Sequence, residues 1–184
     1  MAHSSAMRLF IAIPIPDTVA GELAALVKRL QQPDDELRWA APETWHVTLQ
    51  FLGAASDAQY ACVVRTLGAV ALPQFEVRLG ELGFFERAGI FHVGVECTPE
   101  LATLQQQVVA ATGQCGFEAE ARAYNPHITL ARNRGRGPGI RRLKARVGKA
   151  PQFTAFTAGE FRLYESFPHS SGSRYEVRAR FPLP

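Results

Sequence analysis

Cysteine is scarce in this 184-residue chain, and Cys62, Cys97 and Cys115 show no CxxC spacing. An odd count without that spacing predicts neither a disulfide framework nor a cysteine-rich zinc site. We therefore expect three reduced, buried thiols. The fold must then depend on its hydrophobic core, for which a hydrophobic content of 47% is ordinary.

Long apolar runs are also missing. No run approaches the ~20 residues that a helix needs to cross a bilayer, so no membrane span is predicted. Residues 1–6 resemble an added expression leader rather than a signal peptide, and Met7 is the expected natural start. The default compartment is therefore the cytoplasm.

Acidic residues are absent from residues 132–149, where eight basic residues occur. We call this stretch the basic segment. A surface of this kind attracts polyanions, above all nucleic acid. A solvated loop followed by an exposed helix face would explain the same composition equally well. The basic residues are Arg132, Arg134, Arg136, Arg141, Arg142, Lys144, Arg146 and Lys149.

One short pattern occurs twice. His-apolar-Thr-Leu begins at His46 and again at His127, 81 residues further on. Both copies lie in stretches rich in Val, Ile, Leu and Phe, as strands are. Because side chains alternate along a strand, each histidine shares a face with the threonine two residues on, and Phe51 is expected on the opposite, core-facing side. The repetition predicts two similar lobes, each supplying one catalytic group.

The order of strands and helices supports the same architecture. Asp17 or Thr18 is expected to cap a first helix, and Ser56 with Gln59 forms a capping-box pattern before a second. No strict short repeat is present, which excludes a solenoid. We predict an α+β fold in which residues 7–184 form a single domain. Two pseudo-symmetric lobes of mainly antiparallel sheet, with flanking helices, would face each other across a central groove.

Two histidines on opposite sides of a groove are suited to moving two protons around one phosphorus atom. The pKa of an unperturbed imidazole, about 6.5, allows it to act as base or acid near neutral pH. Each threonine hydroxyl, about 6.5–7 Å further along the same face, can donate a hydrogen bond to a phosphate oxygen. A zinc site is the rival interpretation, but neither histidine has another His, Cys or acid at ligand spacing. We therefore expect no metal.

With these motifs, the sequence resembles the 2H phosphoesterases, and among them the RNA 2′,3′-cyclic phosphodiesterases, also called 2′-5′ RNA ligases. Other stretches fit the same family pattern in order, and the resemblance spans nearly the whole chain from Met7. They are residues 8–13, 38–53, 116–117, 125–132 and 163–166.

The resemblance implies hydrolysis of a terminal 2′,3′-cyclic phosphate on RNA to a 2′-phosphomonoester, without cofactor or metal. It implies that His46 is the proton donor to the leaving 3′ oxygen and that His127 is the proton acceptor that activates water. Thr48 and Thr129 would hold the phosphate oxygens, and Arg132 would contact phosphate or ribose. The expected partner is RNA with a cyclic phosphate end, bound by a monomer. The ligase name implies that the reverse reaction, forming a 2′-5′ linkage, is also available.

Three further residues have two interpretations each, and a fourth has one. Strict alternation places Arg132 on the face opposite His127, so it reaches the site only if the strand bends or ends there. Tyr164 could stack on a base or pack in the core. His92 could point at the groove or be a bystander, and His169 is expected in solvent.

Two functions of other classes also fit the sequence. The chain could be an RNA-binding module with little catalysis, although both His and Thr pairs are intact, which favours an enzyme. It could instead act on a small cyclic nucleotide or an ADP-ribose derivative, since the same four side chains would serve. The size and charge of the groove rim distinguish these substrates.

Overall fold

The computed structural model describes residues 6–170 and 172–184, and over these the chain forms ten β-strands and four α-helices. The strands are β1 (Met7–Pro14), β2 (Leu37–Trp39), β3 (His46–Ala55), β4 (Phe75–Val77), β5 (Leu79–Phe85), β6 (Ile90–Val95), β7 (His127–Asn133), β8 (Phe156–Ala158), β9 (Glu160–His169) and β10 (Gly172–Pro182). The helices are α1 (Asp17–Leu30), α2 (Asp57–Leu67), α3 (Pro99–Gly113) and α4 (Gly139–Arg146).

Two four-stranded antiparallel sheets carry the two motifs. The first sheet has the order β10-β9-β1-β3 and the second the order β2-β7-β6-β5, while β4 and β8 form a separate pair. The first histidine motif therefore begins an edge strand of one sheet, and the second lies on an inner strand of the other. These two strands approach each other where the sheets meet. The predicted α+β class with antiparallel sheets is confirmed.

Apolar side chains from both sheets and the helices form one buried cluster. Helix α1 contributes Val19, Leu23 and Leu30 at helical spacing. The prediction that Asp17 or Thr18 caps this helix was wrong. Pro16 occupies the N-cap position, and among the described residues no side chain caps the helix. Asp17 already lies in the first turn. No helix of the described residues is long and apolar enough to span a membrane.

Helix α2 begins as the sequence predicts. The Ser56 side chain accepts a hydrogen bond from the Gln59 amide, and the Gln59 side chain accepts one from the Ser56 amide. These reciprocal bonds satisfy two of the amides that a helix start leaves without partners. The helix then packs against α3, which lies over β3.

The cysteine prediction was wrong. Cys62 of α2 and Cys115, which follows α3, form a disulfide across a Cα–Cα distance of 5.8 Å, and Cys97 is an exposed free thiol. The two cysteines are 53 residues apart in sequence. They meet because α2 and α3 pack side by side, a contact that residue spacing does not reveal.

Reducing this disulfide is expected to destabilise the protein. Closing a loop of this length restricts the unfolded chain, so its loss should lower the free energy of unfolding by roughly 2–4 kcal/mol. Urea unfolding with and without a thiol reductant measures the change. A Cys97→Ser variant, which keeps the disulfide and removes the exposed thiol, is the control. Equal urea midpoints under both conditions would show that the bond adds no stability.

Candidate active site

A bulge interrupts β3 at the last residue of its motif. Ala12 of β1 pairs with Thr48 and Ile11 pairs with Gln50, which leaves Leu49 as an extra residue. Leu49 and Gln50 are consequently both buried, and the next residue, Phe51, emerges with 63% of its surface exposed. The prediction that Phe51 faces the core was therefore wrong, because the bulge shifts the alternation by one residue.

Strand β7 has the same irregularity at the same place. His92 of β6 pairs with Thr129 and Phe91 pairs with Ala131, so Leu130 is the extra residue. After it, Arg132 emerges on the side of His127 and is exposed. Strict alternation would have turned Arg132 away, and the bulge is what brings it to the site.

The two motif histidines are held by matching hydrogen bonds. The Nδ1 atom of His46 lies 2.7 Å from the carbonyl oxygen of Thr44, and that of His127 lies 2.8 Å from the carbonyl oxygen of Asn125. A carbonyl can only accept, so each Nδ1 carries the proton. In the neutral ring, each Nε2 is then left with a free lone pair.

Aromatic rings surround His46. The ring of Phe10 lies 4.8 Å from that of His46, and Tyr175 meets it edge-on at 5.4 Å. Tyr164 stacks on Phe10 at 5.0 Å and lies 6.3 Å from His46. Tyr164 thus packs in the aromatic wall of the site and is only half-buried there. The rings restrict the orientation of the imidazole and shield it from water.

His127 has a smaller set of neighbours. Phe85 meets its ring edge-on at 4.9 Å, and the ring of His92 lies 5.2 Å away. His92 therefore points to the same side as His127, whereas the sequence left open whether it did. His169 is exposed near the end of β9, as expected.

Charged groups of the second sheet influence the pKa of His46 in the first sheet. Burial lowers the pKa of His46 to about 4, against the opposing effect of its hydrogen bond to Thr44, and the charges of His127 and Arg132 lower it further. Charges act on each other in this way only at short range. The two sheets therefore bring His46 close to His127 and Arg132, and a charge on either of these two residues affects the protonation of His46.

Both motif threonines present a free hydroxyl. Thr48 and Thr129 are half-buried, and within residues 6–170 and 172–184 neither hydroxyl has a hydrogen-bond partner. In the same part of the chain, no group of three or more His, Cys, Asp or Glu residues could hold a metal ion. The site thus offers two imidazoles, two hydroxyls and a guanidinium.

Comparison with known proteins identifies the family of the chain. The family model of the 2′-5′ RNA ligase superfamily matches residues 15–166, most of the chain. The chain belongs to this superfamily. The family resemblance drawn from the two motifs is confirmed.

Curated relatives align over much of the chain. An RNA 2′,3′-cyclic phosphodiesterase of Bacillus subtilis is 30% identical over 128 residues, which cover 67% of this chain and 69% of the relative. One of Escherichia coli is 26% identical and covers 98% of both chains.

Solved structures of other proteins share the fold. Escherichia coli LigT in its apo form has a TM-score of 0.82 at 25% identity and covers 97% of this chain and 99% of its own. A protein of Thermus thermophilus has a TM-score of 0.79 at 24% identity, covering 96% and 98%. The two-sheet architecture is thus shared with solved structures.

Sequence reasoning missed the aromatic lining. Phe10, Phe85 and Tyr175 flank the histidines, and Phe51 is exposed beside Phe10 at a ring distance of 5.9 Å. Aromatic residues in strands are as typical of a core as of a site, so composition carries no signal that separates the two. The exposure of Phe51 depends on the bulge, which the sequence pattern does not show.

The low pKa of His46 is testable by NMR. We expect its imidazole to titrate near pH 4 in the free protein. Because folding lowers this pKa below about 6.5, the group's contribution to stability is present above pH 6.5 and is lost as the pH falls toward 4. A pH series of side-chain 1H–15N spectra measures the titration, with a His46→Gln variant to assign the signal. A midpoint near 6.5 would contradict the burial argument.

Proposed function

We propose that this protein hydrolyses terminal 2′,3′-cyclic phosphates of RNA to 2′-phosphomonoesters without a metal. His46 would protonate the leaving 3′ oxygen, and His127 would take a proton from the attacking water. Thr48 and Thr129 would donate hydrogen bonds to the non-bridging phosphate oxygens, where negative charge grows in the transition state.

The observation that carries this proposal is the matched pair of imidazoles. Each Nδ1 donates to a carbonyl two residues earlier, so each Nε2 is free to exchange a proton with a ligand. Each imidazole lies on the same strand face as a threonine hydroxyl that has no hydrogen-bond partner among the described residues. A phosphorus atom undergoing in-line displacement needs this combination, one proton site for the entering oxygen and another for the leaving oxygen.

The lowered pKa of His46 bears on which histidine is the acid. A general acid must hold a proton when the leaving oxygen departs, and burial disfavours the charged form in the free protein. A bound phosphate anion acts in the opposite direction and favours the imidazolium. We therefore expect His46 to take up a proton from solvent when the anionic substrate binds, so the acid exists in the complex rather than in the empty site.

The charge of the surface supports RNA as the partner. Within the basic segment, Arg142 pairs with Glu36, Lys144 with Glu86 and Arg146 with Asp35. The other five basic residues have no acidic partner among residues 6–170 and 172–184, so they remain available to a phosphate backbone. They are Arg132, Arg134, Arg136, Arg141 and Lys149. The exposed ring of Phe51 adds a surface on which a nucleobase could stack.

Two finer points complete the proposal. The same site should also form a 2′-5′ linkage when an RNA 5′-hydroxyl replaces water as the nucleophile: His127 would take the proton of that hydroxyl, and His46 would protonate the leaving 3′ oxygen. The proposed compartment is the cytoplasm, where disulfides are rare. There the Cys62–Cys115 pair would be held as thiols, and the disulfide would form under oxidising conditions.

The deciding experiment uses an oligonucleotide with a terminal 2′,3′-cyclic phosphate. The wild-type protein should open the ring and leave the phosphorus on the 2′ oxygen, identified by 31P NMR of the product. His46→Ala and His127→Ala should each lower kcat by at least about 10²-fold, the usual contribution of a positioned acid or base. His169→Ala, an exposed histidine outside the site, is the matched control.

Three results would overturn the proposal: no ring opening by the wild type, a 3′-phosphate product, or near-normal activity of a folded His46 or His127 variant. Circular dichroism verifies the fold of each variant. Activity should persist in EDTA, since no step uses a metal, and loss of activity on chelation would revive the zinc interpretation. Comparison with a mononucleoside cyclic phosphate separates RNA from a small cyclic nucleotide as substrate.

The position of Arg132 predicts a second kinetic effect. Removing its charge in Arg132→Ala should lower kcat/KM for a mononucleoside 2′,3′-cyclic phosphate by roughly 10-fold, as expected for loss of one charge-assisted hydrogen bond. Arg141→Ala removes the same charge from the exposed face of α4 and should leave this small substrate unaffected. Equal kinetics of the two variants would place Arg132 outside the phosphate site.

A further inference from the structure

A third histidine lies inside the site without a role in the proposed reaction. His92 is directly opposite Thr129 in the pairing of β6 with β7, and cross-strand partners point to the same face. Its ring is 5.2 Å from the ring of His127 and stacks on Phe85 at 4.2 Å. It therefore extends the row of polar groups that His127 and Thr129 begin.

The surrounding strands make room for this ring. Gly83 of β5 is its other cross-strand partner, and a Cβ atom at Gly83 would come 2.6 Å from Cε1 and 2.9 Å from Nε2 of His92. Only a residue without a side chain fits beneath the imidazole. The position of the His92 ring is thus determined by the backbones of β5 and β6 together, and not by the choice of one rotamer.

Histidine is a costly choice at this position. His92 is only 8% exposed, and its Nδ1 is buried without a hydrogen-bond partner in the part of the chain that the structure describes. Leaving a buried polar atom unsatisfied destabilises a fold, whereas an apolar ring such as phenylalanine would fill the same space without that penalty. Packing against Phe85 and His127 therefore does not explain the imidazole. A function for its other nitrogen does.

That other nitrogen, Nε2, is free. It makes no hydrogen bond within residues 6–170 and 172–184, and unlike Nδ1 it is not sealed from solvent. The backbone of Val93 lies close enough to the ring to act against the lowering of its pKa, but among the described residues Nδ1 has no partner at hydrogen-bond geometry. A buried N–H without an acceptor is less tolerable than an unused lone pair. The proton of the neutral ring thus belongs on Nε2.

We propose that His92 is a third substrate-binding imidazole, whose Nε2–H donates a hydrogen bond to a phosphate oxygen beside Thr129 and His127. This inference rests on the proposed function, because it needs the phosphate in the groove. It assigns to the second sheet a donor that the first sheet lacks, since the residue opposite Thr48 there is Ala12.

A neutral imidazole suits this task. Burial lowers the pKa of His92 to about 4 and the neighbouring charge of His127 lowers it further, against the opposing effect of the Val93 backbone. His92 therefore stays uncharged near neutral pH and donates without adding a positive charge. A cation at this place would oppose the uptake of a proton by His127, as like charges do.

Two substitutions at His92 separate hydrogen bonding from ring packing. His92→Phe keeps the ring and removes both nitrogens, whereas His92→Gln loses the ring and keeps an N–H donor near the position of Nε2. We expect His92→Phe to lower kcat/KM for the cyclic phosphate by roughly 10- to 100-fold. Its Tm should equal or exceed that of the wild type, because an unsatisfied polar atom has gone. His92→Gln should stay within about 5-fold of the wild type.

Substitution of Gly83, which packs against the His92 ring, provides a second test that does not require the His92→Phe variant to fold. Gly83→Ala should displace the imidazole and lower kcat/KM in the wild-type background. In a His92→Ala background there is no ring to displace, so the same change should alter activity by less than about 2-fold. Equal effects in both backgrounds would show that Gly83 acts through something other than His92.

The outcomes also separate this inference from the proposed function. If the wild-type protein does not open the cyclic phosphate, the proposed function fails. If the wild type is active and His92→Phe matches it, the proposed function stands and the hydrogen bond from His92 is refuted. Full activity of His92→Phe with loss in His92→Gln would show that only the ring matters, which likewise overturns the inference.

Discussion

Two hydrogen bonds of the same form determine what this site can do. Each motif histidine donates its Nδ1 proton to a backbone carbonyl two residues earlier, in His46 to Thr44 and in His127 to Asn125. These bonds are short-range in sequence, so each strand orients its own imidazole. The tertiary structure has only to bring the two strands together. Each imidazole is then left with a lone pair on Nε2, and this matched pair is what the proposed acid–base chemistry rests on.

The bulges make the two walls of the site chemically different. In both sheets the residue after the threonine is extra, so the fifth residue after each histidine turns toward the site. In the first sheet this residue is the apolar Phe51, and in the second it is the cationic Arg132. His92 in the second sheet, opposite an Ala12 in the first, increases the difference. Two lobes with similar motifs thus present chemically different walls, which would orient a substrate that has a base at one end and a phosphate at the other.

The environment of each imidazole differs as well. His46 is enclosed by Phe10, Tyr164 and Tyr175, and burial is the main cause of its lowered pKa. His127 contacts Phe85 and the polar His92 instead. Equal motifs therefore do not imply equal proton affinities. Desolvation acts on the charged form alone, and it depends on which rings the neighbouring strands supply.

The sequence alone determined the class of the fold, the family, the paired histidine motifs and the start of α2, because these depend on local composition and on spacings of a few residues. The placement of Phe51, Arg132 and His92 depends on strand pairing, and a bulge of one residue reverses the face on which a side chain lies. The Cys62–Cys115 bond likewise depends on two helices packing side by side. Contacts between residues far apart in sequence leave no periodic signal, and for that reason only the tertiary structure decided them.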